Sequence, residues 1–137
     1  MDPCVIDSSI GISWVHPGQA TSASDRLLAE CEAGAIIHVP LLWFVEMANG
    51  LLVLQRRRKM TSAERISALE RLEDLQLQVD DESARAAFHE VSALADKHGL
   101  SAYDATYLEL AIRLKLNLAS RDDLLCRAAT ASGIKVI

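Results

Sequence analysis

The sequence has no apolar run long enough to cross a bilayer: the longest, Leu41 to Val45, falls far short of the roughly 20 residues a membrane helix needs. The acidic start Met1-Asp2 lacks the basic segment that opens a secretory signal. A cytoplasmic protein without a membrane anchor is therefore expected. Cysteine is scarce and odd in number: Cys4, Cys31 and Cys126 lie in apolar contexts without metal-binding spacing. They are read as reduced core thiols rather than a disulfide framework. The four histidines, His16, His38, His89 and His98, show no close ligand spacing. There is neither a phosphate-binding glycine loop nor a nucleophile elbow, and no repeat, low-complexity tract or linker.

With 137 residues, half of them hydrophobic, the chain is long enough for one real core and too short for two. We therefore read residues 1–137 as a single domain. The net charge of −5 argues against a polyanionic partner in general, but the charge is unevenly spread. Residues 51–72 hold six basic and two acidic side chains, including the run Arg56-Arg57-Arg58-Lys59. Such a strip can hold a nucleic-acid backbone. It equally suits the end of a helix, where the dipole favours cations.

Short apolar or β-branched runs alternate with helical patterns, which predicts an α/β fold with a parallel sheet flanked by helices. Strands are expected at Cys4 to Asp7, Ile36 to Val39, Leu77 to Val79, Asn117 to Ala119 and Lys135 to Ile137. Helices are expected near 9–15, 21–33, 41–58, 62–75, 82–97, 102–115 and 122–132. In the fifth helix Ala84, Ala87, Phe88, Val91, Leu94 and Ala95 form a helical stripe, and Ile66, Leu69 and Leu72 form another in the fourth. Both stripes are read as core, and Trp14 and Trp43 as packing residues. Thr61-Ser62-Ala63-Glu64 has capping-box spacing, and Gly34, Gly99 and Gly133 stand where helices should stop.

Four acids interrupt or abut apolar segments: Asp7 after Cys4-Val5-Ile6, Glu46 within Leu41 to Ala48, Asp104 in Tyr103 to Leu108, and Asp122 after Leu118 to Arg121. Buried carboxylates stay ionised only when paired or bound to a cation. Two of them about 6 Å apart repel by roughly 3 kcal/mol at an effective dielectric near 20. Hard oxygen donors without His or Cys point to Mg²⁺ or Mn²⁺ rather than Zn²⁺. Each acid also has a local explanation. Asp7, Asp104 and Asp122 are all placed to cap or begin helices, and Asp123 competes with Asp122. Glu46 has no evident solvated face, and Asn49 lies one turn beyond it. Ser9, two residues after Asp7, is placed to orient that carboxylate or to cap the next helix.

Val5-Ile6-Asp7-Ser8-Ser9, Val45-Glu46-Met47-Ala48-Asn49-Gly50-Leu51, Leu100-Ser101-Ala102-Tyr103-Asp104-Ala105 and Leu118-Ala119-Ser120-Arg121-Asp122 together resemble the ordered motifs of PIN-domain nucleases. The likeness spans the chain and is greatest to the VapC-type toxins of toxin–antitoxin pairs. It implies a three-layer parallel sheet, a Mg²⁺ or Mn²⁺ site made by Asp7, Glu46, Asp104 and Asp122, and supporting roles for Ser9, Asn49 and Ser120. It further implies endoribonuclease activity on RNA, a cognate antitoxin and a homodimer. Arg56, Arg57, Arg58, Lys59 and Arg121 are the candidates for gripping the RNA backbone. Ser120 stands where the family often has Thr, and Gly50 is expected to add flexibility after Asn49. Two other readings stay open: a catalytically silent interaction module of the same fold, and a Mg²⁺-dependent phosphatase with Asp7 as nucleophile. The second acid such a phosphatase carries two positions on is replaced here by Ser9.

Overall fold

The computed structural model describes residues 1–137. Four parallel strands, β1 (Cys4–Ile6), β2 (Ile37–Pro40), β3 (Leu77–Asp80) and β4 (Asn117–Ala119), form one sheet in the order β3-β2-β1-β4. Central β1 is wholly buried, as expected for a parallel strand covered on both faces. Burying Val5, Ile6 and Leu118, none of which is solvent-exposed, contributes about 1.5–3 kcal/mol each.

Flanking this sheet are α1 (Ser8–Val15), α2 (Ser22–Glu32), α3 (Leu41–Arg56), α4 (Ser62–Glu73), α5 (Ser83–Ala86), α6 (Ser92–His98), α7 (Ala102–Leu114) and α8 (Asp123–Ala131). The expected stops at Gly34, Gly99 and Gly133 all adopt positive φ. Thr61 and Glu64 make the reciprocal capping box. Trp14 and Trp43 are buried, and each indole N–H is satisfied, by Ser24 O at 2.9 Å and Asp7 O at 3.2 Å.

Three expectations need correction. The fifth strand is a single bridge, Leu118 with Val136, closed by two hydrogen bonds: Leu118 N–H to Lys135 O and Ile137 N–H to Leu118 O. A ladder needs more than one paired residue, so the segment extends β4's edge without becoming a strand. The second correction concerns 83–98, where a π-helical turn, Ala87–Val91, joins α5 to α6. Its extra residue rotates the stripe, so Val91 is buried while Phe88 is 92% exposed. In α4, Ala68 and Leu72 face the core and Ile66 faces outward. The third is Gly50, which lies inside α3 rather than at a flexible point.

Gly50 and Gly11 together set how closely α1 and α3 cross. A Cβ on Gly50 would come within 3.0 Å of Ile12 Cδ1, and one on Gly11 within 2.5 Å of Met47 Sδ and 2.7 Å of Trp43 Cζ2. Gly11→Ala is therefore expected to lower stability by about 1–3 kcal/mol through overpacking, read as a lower urea midpoint. An unchanged midpoint would mean that α3 shifts freely.

Candidate active site

The strand order reverses direction between β1 and β4: the chain leaves β1 toward β2 and β3, then returns to β1's other side. In open parallel sheets the crevice at such a switch point, beyond the carboxyl ends of the strands, is where ligands sit. Asp7 follows β1 and Ser120 follows β4, joined at backbone level by Asp7 N–H to Ala119 O at 3.3 Å.

Asp7 is 3% exposed. Its Oδ1 accepts from Ser9 Oγ at 2.6 Å and from Ile10 N–H at 3.3 Å, capping α1, while Oδ2 accepts from Ser120 Oγ. Capping and site roles thus coincide in one side chain. The serines are fixed in turn, since Arg121 N–H donates to Ser9 Oγ at 2.8 Å and Asp122 N–H to Ser120 Oγ at 3.0 Å. Burial pushes the Asp7 carboxyl above its ordinary value against these hydrogen bonds, and Asp122 adds to the rise.

Glu46 projects from α3, half-buried, and accepts from the Tyr107 phenol at 2.5 Å. Burial raises its proton affinity, the Tyr107 bond opposes that, and Asp104 and Asp7 raise it again. Asp104 occupies the third position of α7, where its N–H binds Ser101 Oγ at 3.1 Å. Unlike Glu64 in α4, whose carboxylate returns to the Thr61 N–H, Asp104 makes no such reciprocal bond. Its carboxylate is left for the site. Burial, Asp122 and Asp7 all push it upward.

Asp122 caps α8 through Leu125 N–H at 2.8 Å. It is also the acid whose charge raises the Asp7 and Asp104 carboxyls, which Asp123 does not do. No ion pair engages Asp7, Glu46, Asp104 or Asp122; the chain's ion pairs involve Arg85 with Glu82 and Arg113 with Asp80 and Glu109. Uncompensated carboxylates that raise one another's proton affinity fit a hard divalent cation. The side chains do not form a closed cage of three or more acidic, histidine or cysteine ligands.

The chain belongs to the PIN domain family, whose model matches residues 4–131. PIN domains are generally nucleases. No curated protein matches the sequence. Among solved structures, PAE2754 from Pyrobaculum aerophilum is 20% identical with a TM-score of 0.70, over 99% of this chain and 83% of that one. VapBC2 from Rickettsia felis, bound to a promoter DNA fragment, is 13% identical at 0.67, over 98% and 97%. A toxin–antitoxin complex from Klebsiella pneumoniae is 17% identical at 0.59, over 98% and 95%. At these identities the likeness is one of fold.

Other residues of this PIN domain fall less centrally. Asn49 is exposed one turn after Glu46. Arg56 ends α3 and Arg57, Arg58 and Lys59 follow it, all exposed. They lie roughly 15 Å along the helix axis from Glu46. Arg121 donates one guanidinium hydrogen bond to Gln19 O and stays exposed. Cys4 and Cys31 are buried free thiols as expected, and Cys126 is half-buried beside Ser120 O. The sequence reading missed Tyr107 as a partner of Glu46. Only its place one turn after Asp104 hinted at the site.

Proposed function

We propose that this PIN domain is a Mg²⁺- or Mn²⁺-dependent endoribonuclease and the toxin of a toxin–antitoxin pair. The observation that carries this reading is Asp7: a carboxylate 3% exposed, without a cationic partner, at the switch point of a parallel sheet and within electrostatic reach of Glu46, Asp104 and Asp122. When bound, the metal supplies Lewis-acid polarisation of the phosphate and an acidified attacking water. Asp7, Glu46, Asp104 and Asp122 would hold it. Ser9 and Ser120 keep Asp7 in one orientation, with Oδ1 doubly occupied and Oδ2 singly. Hydrolysis adds water at phosphorus and releases the 3'-oxygen, while Arg56 to Lys59 and Arg121 hold the backbone by charge.

We assign two protein partners on the same reading, a cognate antitoxin and a second copy of the chain. Relatives solved as toxin–antitoxin complexes support the first. Exposed Leu41, Phe44, Val45, Phe88 and Tyr103, beside a groove of about 530 Å³ between α3, α5, α6 and α7, supply apolar surface for such contacts. No helix is long and apolar enough to cross a membrane, consistent with the cytoplasmic location proposed here.

The test is cleavage of defined RNAs by the purified protein. Cutting is expected with Mg²⁺ or Mn²⁺ and should stop with EDTA. Undiminished cleavage in EDTA, with contaminants excluded, would sink the metal mechanism. Co-purification with the product of an adjacent short gene, and light scattering of the free protein, test the two partners.

A further inference from the structure

We infer that Tyr107 is the positioning residue of Glu46: its phenol holds Oε1 and leaves Oε2 as the unbonded oxygen, so the carboxylate meets a hard cation in one orientation. The inference rests on the metal-site reading above and extends it to a residue outside the four acids.

Tyr107 has no solvent exposure, so its hydroxyl must find a protein partner or remain an unsatisfied buried donor. The partner is not a nearby backbone carbonyl but a carboxylate 61 residues away on another helix, at 2.5 Å. Bonds from a neutral donor to an ionised acceptor are short and roughly twice as strong as neutral ones. This is the hydrogen bond Glu46 makes, and no cation pairs with it.

The surrounding framework makes the bond directional. One turn before Glu46, the Trp43 indole donates to Asp7 O at 3.2 Å and fixes α3 against the end of β1. One turn before Tyr107 stands Asp104. Helix α7 therefore supplies one acid itself and steers the head of another, while Trp43 sets the base of the helix that carries Glu46. Glu has three rotatable bonds, and freezing them during folding removes that cost from metal binding. Partners behind a ligand act in this way on ligand orientation and metal affinity.

The test is Tyr107→Phe, which keeps the ring and removes the donor. Mn²⁺ affinity of the metal-free protein, measured calorimetrically, should fall about 10-fold or more. The kcat for RNA cleavage should fall with KM little changed, and the metal-free melting temperature should move by only a few degrees. In a Glu46→Gln background the same substitution should add no further loss of Mn²⁺ affinity, because its effect passes through Glu46. Wild-type Mn²⁺ affinity with a lowered melting temperature would show a purely structural tyrosine and overturn the inference. An equal further loss in the Glu46→Gln background would do the same. Absence of Mn²⁺ binding by the wild type would remove the metal reading and this inference together.

Should Tyr107→Phe fail to fold, the wild-type phenol still reports. Tyr103 and Tyr107 are the two tyrosines of the chain, so in a Tyr103→Phe background the ring signal of 13C-labelled tyrosine in an NMR spectrum belongs to Tyr107. Mg²⁺ should shift that signal. A signal unchanged at saturating Mg²⁺ overturns the inference.

Discussion

Asp7→Asn is expected to give a folded protein whose RNA cleavage falls more than about 10³-fold, to background. The amide keeps the shape and one acceptor oxygen for Ser9 and Ile10, and Ser120 can rotate its hydroxyl to accept from the new NH₂. Only the charge is lost. Because the folded protein raises the Asp7 pKa above its ordinary 3.8, ionised Asp7 opposes folding. Stability from this group is full below the ordinary value and falls as pH rises through the folded one. Glu46 and Asp104 are shifted in the same direction. The metal-free wild type should therefore lose stability as pH rises from about 4 toward neutrality. Asp7→Asn should flatten that loss and melt a few degrees higher at neutral pH. Asp123→Asn should stay active while Asp122→Asn should not. Full activity in Asp7→Asn, or equal losses at Asp122 and Asp123, would overturn the assignment.

Arg113→Met should lower stability by about 3 kcal/mol. Arg113 donates to both oxygens of Asp80 at 2.9 Å and to both of Glu109 at 2.8 and 3.1 Å. Glu109 is 5% exposed, so removing the guanidinium strands a buried carboxylate. The figure stands at the low end for buried pairs because the Arg113 side chain keeps 31% exposure. Adding Glu109→Gln should recover part of the loss. The hydrogen bonds and charge of Arg113 hold Asp80 below its ordinary value, a contribution present above pH 4 and lost in acid. The loss caused by Arg113→Met should therefore be larger in urea melts at neutral pH than in acid ones. A neutral-pH loss under about 1 kcal/mol would place the cluster among ordinary surface pairs.

The strands were legible because a parallel sheet demands continuous apolar runs, and Cys4-Val5-Ile6 or Asn117-Leu118-Ala119 have few other uses. The acids showed themselves by contrast with those runs. What local pattern could not carry is anything set by distant partners. The π-helical turn at Ala87–Val91 leaves the apolar spacing intact while turning Phe88 outward. Tyr107 reads as one more core aromatic until α3 is laid beside α7. Asp122 and Asp123 are equivalent in sequence, and only the path out of β4 makes Asp122 the acid that Asp7 and Asp104 feel.

The pairing of Asp7 with Ser120 joins residues 113 positions apart, and β1 lies in the sheet between β2 and β4. During synthesis, then, α3 and its neighbours can condense before Asp7 is oriented, because Ser120 leaves the ribosome long after Asp7 and Glu46. Long-range closures of this kind come late in folding. A chain cut before Ser120 keeps Asp7 and Glu46 but lacks the hydroxyl that holds Asp7 Oδ2, so on the proposed nuclease reading such a fragment is expected not to cleave RNA.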